Sequence, residues 1–328
     1  MYKRQEPETP PCLARPTLDA PIRLFALGAF LRHPVKTFYS RRLSLDLTRT
    51  EQGIEDEEVF DFDGLGSWGI RDAMIQTVAS TLAQQIDADP HACLGAAMQR
   101  LARAGSLLLP PFDGVWIESL TAELSEPVET YRRLLQAFPQ PCPAQILRLA
   151  RDGIVLEDSL SDLREDAGGN RVRLRLQASR LVVGGDLKWS HLTPHWPAHL
   201  AAQLDGPVST HLLGPDSHVI LNPLPAETAG ALLDQLLDGY LQGLTALPPL
   251  ACKTGFALLQ ANAGRKADPR ETYEGGYNHD GERDSHPGYR RFWPTYDDLQ
   301  ADPGFGDLIE RLYRPLFDHC SPSGETAP

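Results

Sequence analysis

Close cysteine pairs are missing from this 328-residue sequence. Its five cysteines, Cys12, Cys93, Cys142, Cys252 and Cys320, are odd in number and far apart, and no CxxC or Cys–His metal spacing occurs. That argues against a disulfide framework or a zinc site and fits a reducing, cytoplasmic compartment. No uninterrupted apolar run approaches the roughly 18 residues a membrane helix needs, and the start lacks the basic-then-apolar layout of a secretion signal. Positive charge is short overall: the formal net charge is −13. The surface as a whole repels a phosphate backbone, so any nucleic-acid contact needs a local basic stripe or a partner's charge.

Several catalytic motifs are absent too. There is no GxSxG elbow and no dinucleotide fingerprint after Gly184-Gly185-Asp186. Lys253-Thr254 resembles the end of a P-loop without the glycine-rich stretch that makes one. His191, His195 and His199 have the i, i+4, i+8 spacing of a zinc helix, but Pro194 and Pro197 interrupt it and no HExxH accompanies it. Capping or core contacts are the simpler expectation for these three.

What is present is ample apolar material. With 41% hydrophobic and 23% charged residues, the chain can bury one large core or two modest ones. Residues 1–18 carry prolines and mixed charges without an apolar period and read as a linker or truncated edge. Asp19 with Pro21 predicts a helix start, followed by an apolar face of Leu24, Phe25, Leu27, Phe30 and Leu31. Pro34 interrupts before a second short helix through Val35, Phe38, Tyr39 and Leu43. The acidic run Glu51 to Asp63 predicts a solvated loop. Helical spacing continues over Trp68–Ile86, Pro90–Ala104 and Val115–Phe138, so residues 19–140 form a mainly helical part.

After Pro143 the period changes to two. Strands are expected at Ile146–Leu156, Asp158–Leu163, Arg171–Gln177 and Arg180–Leu187, with a turn at Asp166–Asn170. Arg171, Arg173 and Arg175 then share one face and Val172, Leu174 and Leu176 the other. A half-buried strand with a solvated arginine face is the plain expectation, with a DNA-facing strand the alternative. A helix over His191–Gln203, strands at Val208–Leu213 and His218–Leu221, and helices at Ala226–Leu244, Gly255–Ala263 and Phe305–Phe317 follow. Residues 141–320 are therefore α/β, and 321–328 read as a disordered tail. Between them, Gly264–Asp302 is polar, aromatic and rich in glycine and proline.

Three stretches resemble the C-terminal domain of RecC, the gamma subunit of exodeoxyribonuclease V. The first runs Phe30-Leu31-Arg32-His33-Pro34-Val35-Lys36-Thr37-Phe38-Tyr39, then Arg42-Leu43, the acidic run and Phe62-Asp63-Gly64-Leu65. The second, His195-Trp196-Pro197-Ala198-His199-Leu200, is similar to the family's W-x-x-HL helix. The third is Tyr273-Glu274-Gly275-Gly276, Gly281-Glu282, Pro287-Gly288-Tyr289 and the closing helix. Their order spans about Leu18 to His319. The helicase-like part expected upstream is missing, so the resemblance implies a fragment of a longer subunit.

The resemblance implies an α/β fold built on a degenerate PD-(D/E)xK nuclease-like core, with helices packed on a small mixed sheet. It implies RecB-like and RecD-like partners, work on DNA ends during double-strand break repair, no membrane, and ATP and Mg²⁺ handled by the partners with no cofactor in this domain. It also implies lost catalysis, which the residues can test. Metal-dependent hydrolysis needs carboxylates for Mg²⁺ and a lysine beside the attacking water. If Asp162 lies where the metal aspartate belongs, the next strand should carry acid-x-Lys, yet Arg171–Gln177 has neither acid nor lysine. Asp186 and Lys188 form such a pair one strand later. Asp162, Asp186 and Lys188 are thus the catalytic candidates, and no metal site is assigned.

Candidates for DNA contact are Arg265, Lys266, Arg270, Arg283, Tyr289, Arg290, Arg291 and Trp293, combining cations for phosphates with rings for bases. Acidic residues interleave with them, so a docking or merely solvated segment is an equal reading. The expected function is partner docking and strand separation or guidance without intrinsic activity. The alternatives are an active metal-dependent nuclease and a protein-docking module with no DNA contact.

Overall fold

Arg171–Leu176 lies near the middle of a six-stranded mixed sheet, and the rest of the architecture follows from what covers its two faces. In the computed structural model, which describes residues 12–17, 20–47, 64–104, 112–151, 154–277 and 279–322, the sheet runs in the order Gln140–Pro141, β1 (Leu163–Glu165), β2 (Arg171–Leu176), β3 (Val208–Leu213), β4 (His218–Leu221), Cys320–Pro322. All neighbours are antiparallel except β2 and β3, which pair in parallel with Arg173 opposite Thr210. A parallel pair needs a crossover. It is supplied by a broken helical segment, Trp189–Leu192, Thr193–His195 and α5 (Trp196–Ala202).

Pleating sends Val172, Leu174, Leu176 and Leu213 to one face. There they join Met74, Val78, Leu82, Leu94, Leu124 and Val128 in a core shared with α2 (Gly64–Gln84), α3 (Pro90–Arg103) and α4 (Phe112–Ala137). Asp89 caps α3 by accepting from His91 N and Ala92 N, with Pro90 in the first turn where no N–H is needed. The other face sends Leu163, Val208, Leu212, Val219 and Leu221 into a larger core with α5, α6 (Ala226–Thr245) and α7 (Cys252–Asn262).

The first helix, α1 (Leu24–Arg32), belongs to this larger core, not to the α2–α4 layer. Phe30 meets Tyr240 edge-on at 5.6 Å, and the Tyr313 hydroxyl donates to Leu31 O. No proline lies in its first turn: α1 begins at Leu24, whose N–H donates to Asp158 Oδ2, and Asp19 lies outside the described residues. The chain leaves the helix at His33, and Pro34 opens a second short helix, as expected. Leu13, expected in a linker, donates its N–H to Thr245 O. The acidic run and most of the two termini lie outside the described residues.

Strand boundaries differ from expectation where turns were hidden. Gln145–Arg151 and Ile154–Leu160 form a separate hairpin. Asp166 folds the β1–β2 turn by accepting from Gly168 N and from Asn170 N and Nδ2. Arg180–Leu187 is not a sheet strand. It is a two-residue hairpin, Val182–Val183 with Asp186–Leu187, because Gly184 and Gly185 both take positive φ. Gly264–Asp302 is helical in pieces, at Pro269–Glu274, Pro287–Phe292 and Tyr296–Ala301. The closing helix is split at Tyr313 into Pro303–Leu312 and Arg314–Asp318. No helix among the described residues is long and apolar enough to cross a membrane.

Candidate functional site

Two clefts of similar size hold most of the residues singled out from sequence, and they differ in how their charges are satisfied. The first, about 400 Å³, lies between α2, α4 and the ends of β1 and β2, and is lined by Gln76, Ser80, Tyr131, Asp162, Arg164 and Arg175 among others. Asp162 pairs with Arg173 Nε at 2.8 Å and Arg175 Nη1 at 3.4 Å. Arg164 donates to Phe138 O and Pro139 O, closing the C-terminal end of α4.

The arginine face of β2 is solvated only in part: Arg171 and Arg175 are half-buried. Arg173 is only 7% exposed, because the crossover segment covers that face. His195 Nε2 meets Gln177 Oε1 at 3.1 Å above the strand. Burial pulls His195 down to about 3, with Arg173 and Arg175 adding to the shift. A residue pattern of period two cannot tell water from a helix that lies across it, and the broken His191–Gln203 segment concealed the cover.

In this cleft the residues around Asp162 are arginines, with no lysine lining it. Its one strand-end carboxylate is held by two guanidiniums, and a guanidinium keeps its proton at any ordinary pH, so neither replaces a water-polarising lysine.

The three spaced histidines do not converge. His191 Nδ1 contacts Arg180 O, His195 contacts Gln177, and His199, fully buried, contacts Thr210 Oγ1 at 2.9 Å and Asn222 O at 3.0 Å. A 3₁₀ turn at Thr193–His195 breaks the helical phase between them. His199 is a core residue linking α5 to the sheet.

The second cleft, about 470 Å³, is lined by Asp186, Lys188, Trp189, His191, Lys253, Gln260, Lys266, Asp268 and Thr272 among others. Three of the chain's five lysines meet here. None of the three has a carboxylate within ion-pair distance among the described residues. Asp186 and Lys188 share the cleft, but Asp186 sits exposed on the small glycine hairpin, outside the six-stranded sheet. His191 is shifted down by burial, then by Arg32, Lys188 and Lys253, against the opposing pull of its contact with Arg180 O.

Lys253-Thr254 opens α7, where free N–H groups favour an anion. The anion is internal. Glu282, itself buried, accepts from Lys253 N at 3.0 Å, Thr254 N at 2.8 Å and Thr254 Oγ1 at 2.9 Å. The P-loop likeness therefore ends at the side-chain pair, since a carboxylate occupies the place a phosphate would take.

Of the eight proposed DNA contacts, only Lys266 lines this cleft. Arg265 is exposed, with its guanidinium 5.4 Å from the Phe317 ring centre. Arg270 pairs with Glu274 and Asp297, while Arg283 and Arg290 both pair with Asp284. Arg291 is exposed beside Phe292. Tyr289 and Trp293 are core residues, their hydroxyl and indole N–H donated to Leu250 O and Asp302 Oδ2, so neither ring is available for stacking.

The most exposed ring among the described residues is Tyr277, which sequence reasoning passed over. It stands fully exposed (102%) in the turn joining Gly275–Gly276 to His279–Asp280. The root of that turn is tight: Gly275 has φ +84°, and a Cβ at Gly281 would lie 2.1 Å from Tyr273 O. The signal available in the sequence was the glycine cluster on either side of a lone tyrosine.

Comparison with known proteins agrees with the resemblance carried by the three motifs. A family model described as the RecC C-terminal domain matches residues 19–263, about three quarters of the chain. The RecBCD enzyme subunit RecC of Escherichia coli (strain K12) is 26% identical over 320 residues, which is 92% of this chain. The chain spans about a quarter (26%) of that relative's length.

Proposed function

We propose, since this chain belongs to the RecC C-terminal domain family, that it guides a DNA strand and cuts none, working beside RecB-like and RecD-like subunits in a RecBCD-type assembly. One observation carries the reading: Lys188, Lys253 and Lys266 converge, unpaired with any described carboxylate, in a chain whose net charge is −13. Three lysines against Asp186 and Asp268 leave this cleft net positive in an acidic protein, which favours a phosphodiester backbone there. The Tyr277 turn adds a ring that can stack on an unpaired base. The mixed sheet with one parallel crossover supports a degenerate nuclease-like core, and the Asp162–Arg173–Arg175 cluster supports lost catalysis.

Fluorescence anisotropy of the 328-residue chain with labelled single-stranded DNA tests it. The triple variant Lys188→Gln, Lys253→Gln, Lys266→Gln should bind at least about tenfold more weakly, and the dependence of log K on log salt should flatten by about 2. Unchanged binding would remove the cleft from the function and favour a docking module without DNA contact. Cleavage of linear DNA with Mg²⁺ that Asp186→Ala abolishes would instead establish the nuclease alternative.

A further inference from the structure

The chain treats its strand edges in two ways. The six-stranded sheet ends in Gln140–Pro141 on one side and Cys320–Pro322 on the other, both short and both carrying a proline. Short length and proline are the usual protection against pairing with another chain. The strand Gln145–Arg151 of the separate hairpin has neither. It runs seven residues without proline or bulge, in one-to-one register with Ile154–Leu160.

Which backbone groups this strand leaves open follows from what lies behind its partner. Ile22 bridges the far side of Ile154–Leu160, where its N–H donates to Val155 O and its carbonyl accepts from Glu157 N. Successive residues of a strand direct N–H and C=O to opposite sides. Val155, Glu157 and Ser159 therefore point away from Gln145–Arg151, and Ile154, Leu156, Asp158 and Leu160 point toward it. Their opposite numbers, Arg151, Leu149, Leu147 and Gln145, form the hydrogen-bonded pairs. Ile146, Arg148 and Ala150 are left with N–H and C=O aimed outward, and none of these groups has a hydrogen-bond partner among the described residues. No second strand pairs with this edge. The same residues turn their side chains to solvent: Ile146 is 72% exposed and the Arg148 side chain 71%, whereas Leu147 is buried.

We propose that this edge docks an extended segment of a partner protein, added antiparallel, with an acidic residue opposite Arg148 and, two positions later, an aliphatic one opposite Ile146. Only an extended backbone carries donors and acceptors at the spacing of these three residues. The acidic position answers Arg148, whose guanidinium is loosely held by Glu157 at 3.8 Å, and the aliphatic position covers Ile146. A second copy of the chain fits badly. The antiparallel register that pairs all three residues sets Arg148 opposite Arg148, and like charges directly opposite destabilise. The proposal does not rest on DNA binding in the lysine cleft and stands or falls separately from it.

Amide exchange followed by NMR on the 328-residue chain tests it. The probe is a capped hexapeptide reading threonine, threonine, glutamate, threonine, valine, threonine. Without peptide, the Ile146, Arg148 and Ala150 amides should exchange fast beside slow Leu147 and Leu149. At about 1 mM peptide the three should slow at least about twofold, the change expected when half the chains are occupied. Arg148→Glu should lose that protection and regain it when lysine replaces the glutamate of the peptide. Ala150→Pro removes an outward N–H that the hairpin does not use, so it should abolish protection of the other two amides and leave the unfolding midpoint unchanged. If that variant fails to fold, methylated peptides decide. A methyl on the glutamate nitrogen should abolish protection, and one on the next threonine nitrogen should not. Equal protection by both methylated peptides, or none by the parent peptide, overturns the proposal. Slowing of the three amides with rising protein concentration alone would assign the edge to a second copy and overturn it as well.

Discussion

The two clefts have similar volumes and similar numbers of cations, yet their charges are in opposite conditions. In the first, Arg173 and Arg175 grow from a central strand and close on Asp162. In the second, Lys188, Lys253 and Lys266 come from a hairpin end, a helix start and a loop, with no described carboxylate paired to them. Charge satisfied inside the fold supports the fold, whereas charge left unsatisfied at a surface cleft is available to a ligand. The same distinction separates Tyr289, whose hydroxyl is spent on Leu250 O, from Tyr277, which contacts solvent.

The sharpest way to break this comparison is Asp162→Ala. It strands a buried guanidinium, and removing one partner of a buried pair costs about 3–5 kcal/mol. Urea unfolding should show that loss, and adding Arg173→Met should recover most of it. A neutral Asp162→Ala would mean that the first cleft is no more structural than the second.

Acid should reach the first cleft next. His195 and His199 are both held down to about 3 by burial, with Arg173 adding to each. The groups facing His195 are Arg173, Arg175, Arg32 and His191, all cationic or neutral, and Gln177. The unfolded chain takes up protons near pH 6.5 while the folded chain resists until about 3. Stability is therefore full above pH 6.5 and falls as pH drops, by about 1.4 kcal/mol per pH unit for each such histidine. Unfolding midpoints measured from pH 7 to pH 4 should trace this slope, and His195→Gln should flatten it.

The second cleft should respond in the reverse manner. The triple lysine-to-glutamine variant that loses DNA affinity should keep its stability within about 0.5 kcal/mol, as surface changes do. A large loss in thermal unfolding would show those lysines to be structural. The smallest effect belongs to Tyr277→Ala. It should leave unfolding unchanged and weaken single-strand binding by about 1 kcal/mol, the low end for loss of one stacked ring.

Much of the fold was legible because helix and strand periods are local. The spans of α2, α3, α4, α6, β3 and β4 fall within a few residues of the spacing that announced them. The arginine–aliphatic alternation of β2 announced the strand, but not that Arg173, between half-buried Arg171 and Arg175, is covered. What covers a face is a tertiary fact, and the covering segment is a helix interrupted by Pro194. The cation cleft was illegible for a related reason. Lys188, Lys253 and Lys266 lie in three separate elements and were singled out for three unrelated reasons, only Lys266 as a DNA contact.

The hydrogen bond from Tyr313 to Leu31 joins residues 282 positions apart. On a ribosome this is a constraint on time. Phe30 and Leu31 leave the exit tunnel early, but part of what buries them, on α6 and then around Tyr313, is made much later. Helix α1 must therefore wait with part of its apolar face uncovered, at synthesis rates of about 5–20 residues per second, for on the order of tens of seconds. A chain stopped before Tyr313 should bind a hydrophobic dye that the full chain excludes. Completion of this core is thus a late event in the protein's life, set by the order of translation.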